Sequence, residues 1–392
     1  MSVSDIVIVA AKRTAMGGFQ GSLSEVASPK LAATAVKALL DDTGLDGAKV
    51  DELLMGCVLP AGLGQAPARQ AALGAGLPLS VGATTVNKVC GSGMKTVMLA
   101  HDLIKAGSAN VVIAGGMESM SQAPYLLDKA RGGMRMGHGK VLDHMFLDGL
   151  EDAYTGGAMG TFAQKTAYDY GLTRESMDAF ALSSLEKANA AINSGAFEAE
   201  IVPVIVSSRK GDVEVKVDEQ PGNARPEKIP TLRPAFAKDG TITAANSSSI
   251  SDGAAALMLM SRDQADALGL TVLATIKGHS THAQEPAMFT TAPVGAMNKL
   301  LSNVGWSKDE VDLFEINEAF AMVTMLAISE LKLDATKVNV NGGACALGHP
   351  IGCSGARVLV TLIHALKARG LKRGVASLCI GGGEATAMAI EV

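Results

Sequence analysis

Apolar positions along the chain follow two alternating patterns. Short runs such as IVIVA (6–10), VVIAG (111–115) and VASLCI (375–380) are β-branched, free of charge and bounded by glycine, as strands buried on both faces are. Between them, 94–106 and 355–368 carry apolar residues at helical spacing. Strands alternating with helices in this way predict a layered α/β protein with mostly parallel strands.

The pattern occurs twice. AVKALLDDTGL (35–45) resembles AMNKLLSNVGW (296–306), and Val50-Asp51 follows the first block at the offset at which Val311-Asp312 follows the second. CGSGMKTV (90–97) pairs with GCSGARVL (352–359), and VVIAGGMES (111–119) with SLCIGGGEA (377–385). Each half reads strand, helix, strand, helix, short strand, helix, strand, strand, or βαβαβαββ. In the second half the GGGE turn runs straight into the last strand, ATAMAIEV. In the first half GGME is separated from the corresponding strand, GAAALMLM (253–260), by a long segment. That segment holds the polar, glycine- and proline-containing stretch DEQPGNARPEKIP (218–230) and a helix-like run, 173–194. The expected organisation is a first half formed by 1–120 with 246–269, an inserted loop or substrate domain over 121–245, and a second half over 270–392. Loops carried on a rigid scaffold often bind ligands, which suits the insertion to such a role.

Composition removes several function classes. The chain has 392 residues, 48% hydrophobic and 19% charged, a balance that suits compact domains and opposes disorder. A net charge of −5 gives no basis for nucleic-acid or anionic-membrane binding. No apolar run approaches the ~20 residues of a membrane span, and the opening MSVSDIVIVAAKRT lacks the basic start of a secretory signal and reads as a first strand. Five cysteines, an odd number, suggest free thiols in a reducing, cytoplasmic compartment.

Four constellations fall at predicted strand ends. In NKVCGSG (87–93), Cys90 stands in the turn that opens a helix, where the helix dipole favours thiolate, and Gly91 and Gly93 allow close approach of a ligand; a buried small hydrophobe is the alternative. NEAFA (317–321) follows DLFEI, and its Asn317 matches Gly56 in the repeat. Its carboxamide suits holding a water or a carbonyl oxygen, although Asn317 and Glu318 also suit a helix start. GGACALGHPIGCSG (342–355) presents His349 on a loop ahead of a helix, as a general base. Cys345, His349 and Cys353 have four-residue spacing, but the intervening glycines and Pro350 spoil a common helical face, so no metal is expected. In CIGGG (379–383), Cys379 matches Ala114 of the first half, and the glycines leave backbone N–H groups free to face an anion. Ligands in α/β proteins gather at such carboxyl ends of strands.

With these blocks the sequence resembles the thiolase family over essentially its whole length, from RTAMGGFQGSL (13–23) through GGMESMSQAPY (115–125) and LRPAF (232–236) to CIGGG. The resemblance implies a thiolase fold, with the duplicated halves forming an α-β-α-β-α core. It also implies reversible Claisen condensation of two acetyl-CoA to acetoacetyl-CoA and CoA, in lipid metabolism. Cys90 would accept the acyl group and His349 take its proton, while Cys379 would be the acid/base at the substrate α-carbon and the leaving thiol. Asn317 would hold a water that forms one oxyanion hole with His349, and the backbone N–H groups of Cys90 and Gly381 would form the other. Ser248 matches a serine that contacts the pantetheine arm, and Met159, Ala319 and Phe320 would contact substrate. Coenzyme A would be substrate and product, with no cofactor, and the assembly a homotetramer of tight dimers with RGGMRMGHGKVL (131–142) as a contact loop.

Two thiols are needed because Cys90 is acylated when the α-proton must leave. Related condensing enzymes with Cys-His-His or Cys-His-Glu sets are disfavoured by Cys379, and a non-catalytic acyl-CoA carrier is disfavoured by the intact set of four. A thiolase of broader chain length stays open as an alternative. One departure stands out: where many biosynthetic thiolases have His-Met-Gly, this chain has Ala158-Met159-Gly160.

Overall fold

The computed structural model describes residues 4–209 and 211–392. In the first half, β1 (Ile6–Thr14), α1 (Ser28–Thr43), β2 (Glu52–Gly56), α2 (Pro67–Gly74), β3 (Gly82–Val86), α3 (Ser92–Lys105) and β4 (Val111–Ser119) follow in order, and β5 (Ser251–Ser261) returns after the insertion. The insertion carries α4 (Met159–Asp169) and α5 (Arg174–Asn193). The second half is β6 (Ala274–Ala283), α6 (Ala292–Val304), β7 (Leu313–Ile316), α7 (Ala321–Leu331), α8 (Ser354–Arg369), β8 (Arg373–Ile380) and β9 (Glu384–Glu391).

Local chemistry sets these limits. Helix α1 starts with a proline at its first turn, buries Leu31, Ala32, Ala35, Val36 and Leu39 along one face, and stops at Gly44, whose φ of 64° is the left-handed cap glycine accepts most readily. Helix α5 starts at Thr173, whose hydroxyl accepts the Ser176 N–H.

The main sheet runs β7-β8-β9-β6-β1-β5-β4-β2-β3. Along this order three pairings are parallel, β2 with β3, β2 with β4, and β7 with β8. The central ones, β4-β5, β5-β1, β1-β6, β6-β9 and β8-β9, are antiparallel. The expectation of mostly parallel strands is therefore corrected. A tight turn such as Gly381–Gly383 joins only antiparallel strands, and the last two strands of each half are related in that sense. The halves touch through a short β1-β6 seam, Val7 with Thr275 and Ile8 with Ala274.

Three cores separate the layers. Leu31, Val36 and Leu39 of α1 pack with α2 on Leu53, Ile113 and Met258. Between the halves, Met94 and Val97 of α3 and Val358 and Leu362 of α8 share a core with Leu257 and Leu378. Outside the second half, Met297 and Leu300 of α6 and Ala327 of α7 pack on Phe314, Val375 and Ala387. This is the α-β-α-β-α stack. Helices α3 and α8 cross very closely: a Cβ on Gly355 would lie 2.3 Å from the Met94 backbone nitrogen, so only glycine fits.

The duplication also differs from its sequence reading in two details. Asp51 accepts the N–H groups of Asn110 and Val111, and Asp312 those of Lys372 and Arg373, which makes Val111 the equivalent of Arg373. Cys379 is thus the partner of Met117 rather than of Ala114; the shared GG-x-E letters misled the register. The short third strand of the second half is reduced to a single bridge between Phe314 and Val338. There the Asn339 carboxamide takes the place of a ladder, exchanging bonds of 2.8 Å with both the N–H and the C=O of Ile316.

The insertion is tied to β1 by a buried ion network. Arg13 donates to Glu200 at 2.6 Å and to both oxygens of Asp218 at 2.7 and 2.9 Å, with every one of these side chains inaccessible to solvent. No helix among the described residues is long and apolar enough to cross a membrane.

Candidate active site

Cys90 sits on the turn between β3 and α3. Val89 adopts φ 46°, the left-handed region that a β-branched side chain rarely enters. The turn is held by Asn87 Oδ1 accepting the Val89 N–H at 2.9 Å and by Ser92 Oγ accepting the Lys88 N–H at 2.8 Å. Lys88 also forms an ion pair with Glu384, beyond the Gly381–Gly383 turn of the other half. Burial pushes the Cys90 thiol up to about 11, opposed by the backbone N–H groups of Gly381 and of Cys90 itself. Of these two groups Cys90 belongs to the first half of the molecule and Gly381 to the second.

His349 is buried on the loop before α8. Its Nδ1 lies 2.6 Å from Ser354 Oγ, and that hydroxyl donates to the Pro350 carbonyl at 3.0 Å. A hydroxyl has one proton, so Ser354 must accept from Nδ1–H. The imidazole is thereby fixed as the Nδ1–H tautomer, and its Nε2, which meets no protein partner, carries the free lone pair. Burial, aided by the Arg357 charge, lowers the His349 pKa to about 3, so the ring is neutral.

The loop is anchored by Glu118, fully buried at the end of β4. It accepts from Gly352 N–H at 2.9 Å, Val58 N–H at 2.9 Å and Leu59 N–H at 3.1 Å. Burial raises this carboxyl to about 7 against those three bonds.

Asn317 leaves the end of β7 with its N–H on the Ser377 carbonyl at 3.0 Å. Its Nδ2 is 3.5 Å from His349 Nδ1, and its buried Oδ1 has no protein partner. Helix α7 starts later, at Ala321 with Phe320 as its cap, so neither Asn317 nor Glu318 is a helix-start residue. Glu318 instead accepts from Ser184 Oγ at 2.7 Å, Asn339 Nδ2 at 2.8 Å and Cys345 N–H at 3.1 Å, which fixes the segment.

Cys379 ends β8 with its side chain buried. Burial holds its thiol well above the ordinary range, and the nearby Cys90 adds to the shift. Cys90, His349, Cys379 and Gly381 all line one cavity of about 380 Å³. Asn317 stands beside His349, next to this wall.

The remaining expected contacts lie along the same cavity. Ser248 lines it, with both N–H and Oγ donating to the Ala319 carbonyl at 2.9 Å. Met159 at the start of α4 reaches over Gly381, its sulfur 3.3 Å from where a Cβ would stand. Ala319 and Phe320 form the opposite wall, Phe320 meeting Phe236 and Phe289 edge to face at 6.2 and 6.4 Å. Ala158 lines the cavity too, as the cap of α4.

Sequence reasoning missed several groups here. Phe236 lay within the quoted LRPAF block but was given no role; Gly160 exists because its ring sits 2.1 Å from a Cβ there. Glu118, Ser354, Phe289 and the unpartnered hydroxyl of Ser247 carried no recognisable signal of their own. Cys345 and Cys353 do not join His349 as ligands: Cys345 Sγ faces the Glu318 carbonyl, and Cys353 lies in the core between the halves.

This arrangement has two thiols, a neutral imidazole with one free lone pair, and converging backbone N–H groups around an apolar cavity. It suits acyl transfer to sulfur followed by proton transfer at carbon.

Residues 6–263 match the family model for the thiolase N-terminal domain, and residues 270–392 that for the thiolase C-terminal domain. Acetyl-CoA acetyltransferase of Pseudomonas aeruginosa is 52% identical over 99% of both chains. The Escherichia coli protein of the same name is also 52% identical, again over 99% of each. The crystal structure of the Bacillus anthracis acetyl-CoA acetyltransferase superposes with a TM-score of 0.97 at 42% identity, covering 100% of this chain and 99% of that one.

Proposed function

Because the chain belongs to the thiolase family, we propose that it is an acetyl-CoA C-acetyltransferase, interconverting two acetyl-CoA with acetoacetyl-CoA and CoA. The observation that carries this reading is the meeting of Cys90 and Cys379, one from each half, in the wall of one cavity with His349.

Cys90 Sγ attacks the acetyl thioester while its proton passes to His349 Nε2. The carbonyl oxygen develops negative charge against the N–H groups of Cys90 and Gly381, each such donor worth about 3–4 kcal/mol in acyl transfer. CoA leaves as thiolate and takes the Cys379 proton, so Cys379 becomes the base of the second half-reaction. It removes an α-proton from the next acetyl-CoA. The enolate oxygen is held by imidazolium Nε2–H and by a water on Asn317, whose Oδ1 has a free acceptor site. The enolate carbon attacks acetyl-Cys90, the tetrahedral intermediate collapses, and Cys90 regains its proton from His349. Both thiols and the imidazole end as they began.

Coenzyme A is substrate and product in this scheme, and no cofactor enters. The apolar walls formed by Phe236, Phe289, Phe320 and Met159 enclose the acyl group and pantetheine arm, with Ser248 at the amide end. A tetrameric assembly accords with the exposed apolar side chains of Tyr125, Leu127, Met134, Met136 and Val141, which a lone subunit would leave in water. Five free cysteines accord with a cytoplasmic setting.

The test is to mix the protein with acetoacetyl-CoA and CoA and follow loss of the acetoacetyl enolate absorbance. CoA-dependent loss that disappears in Cys90→Ala supports the assignment; full activity in that variant refutes it. Sedimentation as a stable monomer would overturn the assembly.

A further inference from the structure

His101 and Asp102, near the carboxyl end of α3, meet His279 of β6 outside the cavity. His101 Nδ1 and His279 Nε2 each lie 2.9 Å from Asp102 Oδ1. The two rings stand edge to face with centroids 5.1 Å apart. One donor atom from each of the three residues falls within 4.8 Å of the other two. The imidazoles are mostly shielded, at 17% and 18% side-chain exposure, whereas the carboxylate is 54% exposed. Among the described residues no lysine or arginine forms an ion pair with Asp102, so the carboxylate faces the two rings.

We propose that His101, Asp102 and His279 form a binding site for a divalent transition-metal ion of the zinc class. Zinc takes imidazole nitrogen and carboxylate oxygen at about 2.0–2.2 Å with tetrahedral geometry, so its donors stand roughly 3.3 Å apart. Each ring nitrogen is already 2.9 Å from the carboxylate oxygen, and with all three donors within 4.8 Å of one another a small side-chain adjustment brings them to that spacing. Two imidazoles with one carboxylate select zinc, cobalt or nickel over magnesium or calcium, which take oxygen ligands. The open side of Asp102 leaves a fourth position for water.

Binding needs each ring to present a lone pair to the ion. Both ring N–H groups that now face Asp102 must yield their place, so each proton moves to the other nitrogen of its own ring.

The consequence is mechanical. Helix α3 begins at the Cys90 turn and belongs to the first half, while β6 belongs to the second. An ion held by both staples the halves together at the far end of that helix. None of the three residues lines the cavity, so the bound ion acts on stability and not on the chemical steps.

The experiment uses the full chain with Cys90 alkylated, so that the reactive thiol does not compete for metal. Metal is stripped with a chelator, and Zn2+ is titrated by calorimetry with Co2+ absorption as a second probe. The parent should bind one equivalent. Filling the site to a hundred times its dissociation constant should raise Tm by about 3 °C, from the linkage relation and the unfolding entropy of a chain this size. His279→Gln and Asp102→Asn should each weaken binding by at least about 100-fold, more than outer-shell changes do, while unalkylated variants keep parental thiolysis. Glutamine retains a hydrogen bond toward Asp102, which protects the fold if the asparagine variant fails. Unchanged Zn2+ affinity in the His279→Gln variant, or no stoichiometric binding by the parent, overturns the site.

Discussion

The resting state of the nucleophile can be tested through its pH dependence. Burial pushes Cys90 up to about 11 despite the N–H groups of Gly381 and Cys90, and burial with Arg357 pushes His349 down to about 3. Both shifts favour the uncharged forms. The free enzyme should therefore hold a neutral thiol beside a neutral imidazole, and the proton should move only as the thioester is attacked. At pH 7 about one Cys90 in 10⁴ is then thiolate, against about 3% for an unperturbed cysteine. Alkylation by iodoacetamide follows thiolate, so its rate should rise about 100-fold from pH 7 to pH 9. An ordinary thiol would rise about 25-fold and begin to level. Single-turnover labelling, followed by mass spectrometry of the Cys90 peptide, reads the rate at each pH. A rate already on a plateau at pH 7 would mean a preformed thiolate–imidazolium pair and would refute the reasoning.

Three further outcomes follow from the same contacts. Cys379→Ala should lower condensation by about 10²–10⁴-fold, the range for a positioned acid/base, while acetyl-CoA still labels Cys90 to one equivalent; equal loss of labelling and turnover would contradict the division of labour. His349 stays neutral in the folded chain to about pH 3, whereas the unfolded chain protonates it near 6.5. Below pH 6.5 the unfolded state therefore binds the extra proton and stability falls, by about 3 kcal/mol at pH 4.5. Glu118 and Glu315, both raised by burial to about 7, work the other way: their contribution is present at low pH and lost as pH rises through 7. Urea unfolding at pH 7 and 4.5 should thus show His349→Gln losing about 3 kcal/mol less than the parent, and identical losses would count against a buried neutral imidazole. Arg13→Met strands Glu200 and Asp218 in the interior and should cost about 3–5 kcal/mol by thermal or urea unfolding; a loss under 1 kcal/mol would show that the network is not what ties the insertion to β1.

Much of this protein was determined by local sequence. Strand and helix periods, the duplicated βαβαβαββ order and the glycine-framed turns follow from burial patterns that each short segment carries within itself. Cys90, His349, Asn317 and Cys379 could be singled out as candidates because glycine and proline break the periodicity in or beside the blocks that hold them. What a segment cannot carry is its partner. Strand direction across the sheet, the equivalence of Cys379 with Met117, and the replacement of a short strand by the Asn339 carboxamide depend on which backbone groups meet after folding. The same holds for the functional supports. Glu118 grips Gly352, far along the chain, and Ser354 sets the tautomer of His349. Gly381 of the second half brings an N–H to Cys90 of the first, and α3 crosses α8 where only glycine leaves room. Hydrogen bonds and pKa shifts are set by burial and distance, and these exist only once the two halves have closed on each other.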